Sequence, residues 1–404
     1  MKNISVFAFF LLTIASYSVF SATIAAGEHH SLFLDTEGNV WATGSNWNGQ
    51  LGLGDNIQQR KVLVPTKIDN VPPIKSVAAG YEHSLLLDTE GHVWATGKNN
   101  HGELGLGDKV TRNIPTKIEG MPPIKALSAG EQHSLFLDAE GHVWVTGKNN
   151  HGELGLGDKV TRNIPTKIEG MPPIKAVSAG EQHSLFLDVN SNVWAIGTNT
   201  FGQLGLRSRT RREVPNKIEE LPSIKAVSTG ELHSLFLDNE GNIWAAGGNE
   251  HGELGLGDRQ SRGIPTKIQG MPRIIAVTAY GYCSLLLDEE GNAWAAGKND
   301  GGQLGLGDLG DNVFTHNVYQ ASKIGGIPTI KGVVAGKSHS LFLDTKGNIL
   351  AAGFSCSGQL GLGDLGDNVY KVLVPTKIEG LPPIQLSMPE KAKISTKSAR
   401  KIVE

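Results

Sequence analysis

Cysteine is almost absent: Cys283 and Cys356 are the only two among 404 residues. Disulfides therefore cannot form the framework of the fold. A single bridge between them is disfavoured too. They occupy different points of consecutive repeats and would have to bring their Cα atoms within ~7 Å. Charge of one sign is also lacking. With 37 Lys+Arg against 40 Asp+Glu, the chain as a whole is neither a polycationic nucleic-acid binder nor an acidic tail. No segment carries ten residues of helical periodicity, so the regular structure is read as strands.

Long apolar runs are missing as well, with one exception at the N-terminus. Lys2 precedes an apolar stretch from Ile4 to Ala15, no acidic residue occurs before Glu28, and Val19-Phe20-Ser21 offers a permissive exit. This layout predicts a secretory signal peptide over 1–21 and a secreted or periplasmic mature chain. A membrane anchor would need ~20 apolar residues, so no membrane attachment is expected once the signal is removed. At the other end, 387–404 reads as a disordered basic tail.

What the chain has in abundance is glycine, 52 residues, together with 18 prolines, the mark of many tight turns between short strands. The glycines are periodic. An Ala-Gly-x-x-His-Ser stretch recurs, with a histidine column at His30, His83, His133, His183, His233 and His339. Its sixth member is irregular: Tyr280 replaces the glycine and Cys283 the histidine. Seven copies about 50 residues apart make one repeat array rather than several domains. In the copy running from 115 to 147 the strand candidates are Pro115–Ile118, Ile124–Ala129, His133–Asp138 and Val143–Thr146. Four strands per unit is the arithmetic of a propeller blade. The expected fold is an all-β, seven-bladed propeller over 22–386, with four antiparallel strands per blade. Because the first copy starts at Thr23-Ile24-Ala25, the C-terminal strand Val374–Ile378 is expected to complete the first blade and close the ring.

The units read Ala-Gly-Glu-Gln-His-Ser-Leu-Phe-Leu-Asp, then Gly-His-Val-Trp-Val-Thr-Gly, then Asn-His-Gly-Glu-Leu-Gly-Leu-Gly-Asp. Over residues 23–384 this resembles the repeat of the regulator of chromosome condensation family. The resemblance implies a seven-bladed propeller and, by analogy with the name-giving member, guanine-nucleotide exchange on a small GTPase of the Ran type. The inserted hairpin wedge of that member has no counterpart here, since the third copy keeps the 50-residue step of the second.

Several motifs mimic catalytic sites without their geometry. Gly305, Gly307 and Gly310 satisfy a G-x-G-x-x-G pattern, but no helix follows to aim N–H groups at a phosphate. His133, Ser134 and Asp138 have the composition of a hydrolase triad, yet adjacent strand residues face opposite ways, and Ser134 and Asp138 stand ~13 Å apart. The histidines are expected to satisfy backbone groups inside each blade. One per blade around a wide axis cannot converge on the ~2 Å bonds of a transition metal. Asp308, Asp311, Asp364 and Asp367 fit no calcium loop. No cofactor, metal or catalytic set is expected. Trp41, Trp94, Trp144, Trp194, Trp244 and Trp294 recur on one strand and read as packing between blades, whereas Trp47 lies off that register and is expected to be exposed.

Departures from the repeat carry the functional signal. The fourth copy holds Arg207, Arg209, Arg211 and Arg212 where the consensus has Gly and Asp. The turns between the second and third strand candidates carry Glu28, Glu82, Glu131, Glu181 and Glu231. If strand direction alternates, these turns open on the same face as the long loops, including 55–64 and 308–322. Partner binding is expected there. The reading is of an exported, monomeric interaction propeller that binds a protein rather than nucleic acid. Exchange activity on a Ran-type GTPase, in a host cell if the protein is delivered there, and inhibition of an extracellular enzyme such as a β-lactamase stand as alternatives.

Overall fold

A computed structural model describes residues 23–54, 60–309, 316–366 and 369–384. The expected leader and tail, and parts of the loops 55–64 and 308–322, lie outside these residues. The described chain forms seven antiparallel sheets of four strands each. Blade two is typical. Its strands are Ile74–Ala79 (innermost), His83–Asp88, Val93–Gly97 and Arg112–Lys117 (outermost), hydrogen-bonded in that order. The expectation of a seven-bladed all-β propeller is met.

The second strand of each blade is buried along its whole length, as in His-Ser-Leu-Phe-Leu-Asp of His133–Asp138. Side chains alternate between the two faces, and here both faces meet a neighbouring blade. Leu135 and Leu137 pack with Phe186 of the next blade, while Phe136 packs with Leu85 and Leu87 of the preceding one. That double burial explains a strand without polar alternation. The tryptophans of the third strand pack against the core of the preceding blade, as expected; Trp144, for example, joins the cluster of Leu85 and Phe136. Each indole also has a polar anchor, since Trp144 Nε1 donates to Asp138 Oδ2 at 3.1 Å.

The predicted closure is corrected. The strand Lys371–Lys377 pairs with Ile349–Phe354 and completes the seventh blade as its outermost strand. The first blade already owns an outermost strand, Lys61–Lys67, so it has no place for another. What it lacks is the start of its innermost strand, which is only Ile24–Ala26. Ile384 fills that gap. It bridges Asp35, in the register that pairs Ile74 with Asp88 in blade two, and its side chain is buried beside Ile24 and Phe33. The ring therefore closes through a broken innermost strand, with Ile24–Ala26 and Ile384 meeting in blade one.

A second set of bonds runs around the ring. His30 Nε2 lies 2.9 Å from Ser84 Oγ, and the same contact joins His83 to Ser134, His133 to Ser184, His183 to Ser234, His233 to Ser284 and His339 to Ser31, at 2.8–3.0 Å. The histidines thus join neighbouring blades through serine rather than serving backbone groups within a blade, which corrects the sequence expectation. The reason is the alternation itself: along one strand His faces the next blade and Ser the preceding one. Each serine hydroxyl donates its one proton to a backbone carbonyl, such as Ser134 to Glu103 at 2.7 Å. The imidazole must then be the donor to serine, which assigns the neutral tautomer with the proton on Nε2. Burial pushes these histidines down to about 3, and neighbouring ring histidines add to the effect at most of them.

Candidate functional site

The turns between innermost and second strands surround the propeller axis, one per blade. The second strand starts where the third ends and the outermost begins, since His183 pairs with Gly197 and Gly197 with Arg212. These turns and the long loops therefore share one face, as predicted. The first turn residue in each blade is Glu28, Tyr81, Glu131, Glu181, Glu231, Gly281 or Lys337. Tyr81, Glu131, Glu181, Glu231, Tyr280 and Lys337 line a small cleft of ≈ 20 Å³ at this axial mouth, open to solvent on one side.

The mouth is a mixed cluster. The Lys337 ammonium stands 3.6 Å from Glu28 Oε1 and 3.7 Å from Glu231 Oε2, and 4.6 Å above the Tyr81 ring. The Tyr282 hydroxyl donates to Glu231. Burial first, then the charges of Glu231 and Glu131, push the Glu181 carboxyl upward. Burial likewise raises Glu131 and, with Glu28, the Tyr81 phenol.

Four of the five predicted glutamates thus converge. Glu82 does not. It occupies the second turn position, where it pairs with Lys98 and accepts from Asn48 Nδ2 at 2.9 Å. Sequence reasoning missed Tyr81, Tyr280, Tyr282 and Lys337 as members of the mouth. The available signal was their departure from the Gly-Glu-Gln-His consensus of the same turn.

The arginines stand apart from this cluster. They precede the outermost strand, three strand spacings from the innermost, or ~14 Å. Arg207, Arg209 and Arg211 are exposed. Arg207 holds a positive φ of 59° in the place of Gly107, Gly157 and Gly257, and its Nε meets Glu220 Oε1 at 2.7 Å. Arg211 stands 3.4 Å from Glu213. Arg212 is corrected as a departure: it holds the register of Arg112, Arg162 and Arg262, each paired to an aspartate at 2.6 Å. Only its partner has changed, to Ser208, and Arg212 Nη1 turns to the carbonyls of Thr210 and Arg211. Trp47 is 64% exposed, with the Arg60 guanidinium 4.1 Å over its ring. Cys283 is buried, Cys356 is exposed, and both are free.

Residues 13–219 match the RCC1-like domain, and 240–287 and 224–253 match two forms of the regulator of chromosome condensation (RCC1) repeat. The chain belongs to the RCC1-like family. Among its relatives are the ultraviolet-B receptor UVR8 of Arabidopsis thaliana, 43% identical over 93 residues (22% of this chain, 20% of the relative), and the regulator of chromosome condensation of Xenopus laevis, 36% identical over 85 residues (21% and 20%). The matched segment spans about a fifth of these relatives' own length. In three dimensions this RCC1-like propeller is similar to Prp20p of Saccharomyces cerevisiae, at 26% identity and a TM-score of 0.77 over 86% of this chain and 87% of that one. It shares its fold with human WBSCR16, at 22% identity and a TM-score of 0.74 over 84% and 93%.

Proposed function

We propose that this RCC1-like propeller is an exported interaction module that grips a partner protein with its loop-rich face. One observation carries the reading. The axial cluster, Trp47 and the arginines at 207, 209 and 211 all lie on that face, and Tyr81, Tyr280, Tyr282, Lys337, Trp47, Arg207 and Arg211 depart there from the repeat. Prp20p, described for its binding to Gsp1p and histones, supports a protein as the partner. The charged positions are exposed or half-buried, so they steer association and set specificity.

The test compares capture by the mature 22–404 chain with capture by its Arg207, Arg209 and Arg211→Ser variant. Surface changes of this kind alter stability within ~0.5 kcal/mol. A partner retained by the wild type in low salt should be lost by the variant, because exposed charges are screened beyond ~8–10 Å at physiological ionic strength. Equal capture removes the arginines from the site. Guanine-nucleotide exchange is the second reading, favoured by the similarity to Prp20p. Accelerated release of a fluorescent GDP from a Ran-type GTPase would establish it, and an unchanged release rate would exclude it for that GTPase.

A further inference from the structure

Blade six has changed its turn at the expense of the ring. Tyr280 and Cys283 replace the glycine and histidine of the other copies, so the histidine–serine contact found at the other six seams is missing where blade six should reach Ser340 of blade seven. The fold does not ask for this change, since six other turns manage without it. What the blade obtains is a phenol in the axial cleft: Tyr280 lines it and makes no hydrogen bond there among the described residues. Tyr282 follows, tied to Glu231 and with the Lys298 ammonium 5.9 Å over its ring. The cleft thus combines carboxylates with aromatic walls. This is the chemistry that recognises an organic cation, through charge and through the ring faces.

The molecule already demonstrates the fit with its own side chain. Lys337 occupies the turn position that four other blades give to glutamate, and its ammonium sits between Glu28, Glu231 and the Tyr81 face. One ammonium does not neutralise the carboxylates of Glu28, Glu131 and Glu231, even with Glu181 holding a proton. Among the described residues, no group of three or more His, Cys, Asp or Glu is close enough to hold a metal ion. Lys337 is itself only half-buried.

We propose that the axial mouth receives one lysine or arginine side chain of the partner protein, and that Lys337 keeps the seat until that cation displaces it. The idea rests on the partner-binding reading but is tested without a partner. The probes are blocked tripeptides Gly-Arg-Gly and Gly-Lys-Gly, with the neutral citrulline analogue as control, titrated calorimetrically into the mature chain. Lys337→Ala should bind a cationic probe at least tenfold more tightly than the wild type, since the competitor is gone. Adding Glu231→Gln to that variant should cost at least tenfold, and citrulline should not bind to either. Should Lys337→Ala unfold, Lys337→Met serves, as it keeps the aliphatic stem. Equal binding of the citrulline and arginine probes, or no tightening on loss of Lys337, overturns the proposal. A partner still captured in that case leaves the wider interaction reading standing and removes only the mouth.

Discussion

Tyr280 and Cys283 changed together because the backbone leaves room for only one side chain between them. In the preceding blade, a Cβ built on Gly230 would fall 2.2 Å from Cε1 of His233. A side chain at the glycine position therefore excludes the histidine, and the smaller, apolar Cys283 takes its place, buried against Tyr280. The seam then loses one hydrogen bond of the ring. Restoring both residues, Tyr280→Gly with Cys283→His, should rebuild the contact to Ser340 and stabilise the chain by about 1 kcal/mol. Cys283→His alone should destabilise it. Urea unfolding of the two singles and the double measures the coupling; additive effects would show the positions to be independent.

Ser234→Ala should cost about 1–3 kcal/mol, because it leaves the Nε2–H of buried His183 and the Gln203 carbonyl without their partner. Thermal unfolding reads this directly, and a neutral outcome would show the ring contacts to be incidental.

Glu103, Glu153 and Glu253 are buried at positions where other blades place Gln50, Gln203, Gln303 and Gln359. Both residue types accept the same backbone N–H, as from His101 to Glu103 and from Phe201 to Gln203. Burial raises the carboxyls, to about 7 at Glu103 and Glu153. A raised folded value means the folded state keeps protons that the unfolded chain releases, so these groups lower stability as pH climbs from 4.5 toward 7. Replacing all three by Gln should raise the melting temperature at pH 8 and leave it almost unchanged at pH 4.5. An equal gain at both values would point to packing instead.

The ring histidines act in the opposite sense. Their folded value lies near 3 against 6.5 unfolded, so the unfolded chain takes up protons that the folded ring refuses. Stability should fall as pH drops below 6.5 and continue falling toward 3. The triple glutamine variant is the clean background for this measurement, since the opposing carboxyls are gone. A flat stability profile between pH 7 and 5 in that variant would contradict neutral, buried imidazoles.

Arg207→Gly separates fold from function. The glycine removes a left-handed residue that costs an arginine about 1 kcal/mol, and it loses a fully exposed, solvent-screened ion pair that adds little. Unfolding stability should hold or rise slightly while partner affinity falls. A variant that binds as well as the wild type would leave Arg207 without a binding role.

Closure depends on one residue near the C-terminus. Ile384→Ala should cost about 2–4 kcal/mol, since the side chain is 2% exposed among Ile24, Phe33 and Leu341. A chain ending at 386 should melt like the full mature chain. If the alanine variant melts normally, the broken strand does not hold the ring shut.

Much of this protein was legible in its repeat. Spacing gave the number of blades, alternation and β-branching gave the strands, and strand direction put the Glu131 turn and the Arg207 loop on one face. Those are local or additive properties. A cyclic repeat has no marked beginning, however, so sequence alone cut the units one strand out of place and assigned Val374–Ile378 to the wrong blade. Only ring contacts decide the cut: Lys371–Lys377 pairs with its own neighbour, and Ile384 beyond it bridges to Asp35 of blade one. For the same reason the histidines were read within a blade, though His83 meets Ser134 across 51 residues. The mouth was decided the same way. Glu28, Tyr81, Glu181 and Lys337 lie far apart in the chain, and they meet because seven turns are carried around one axis.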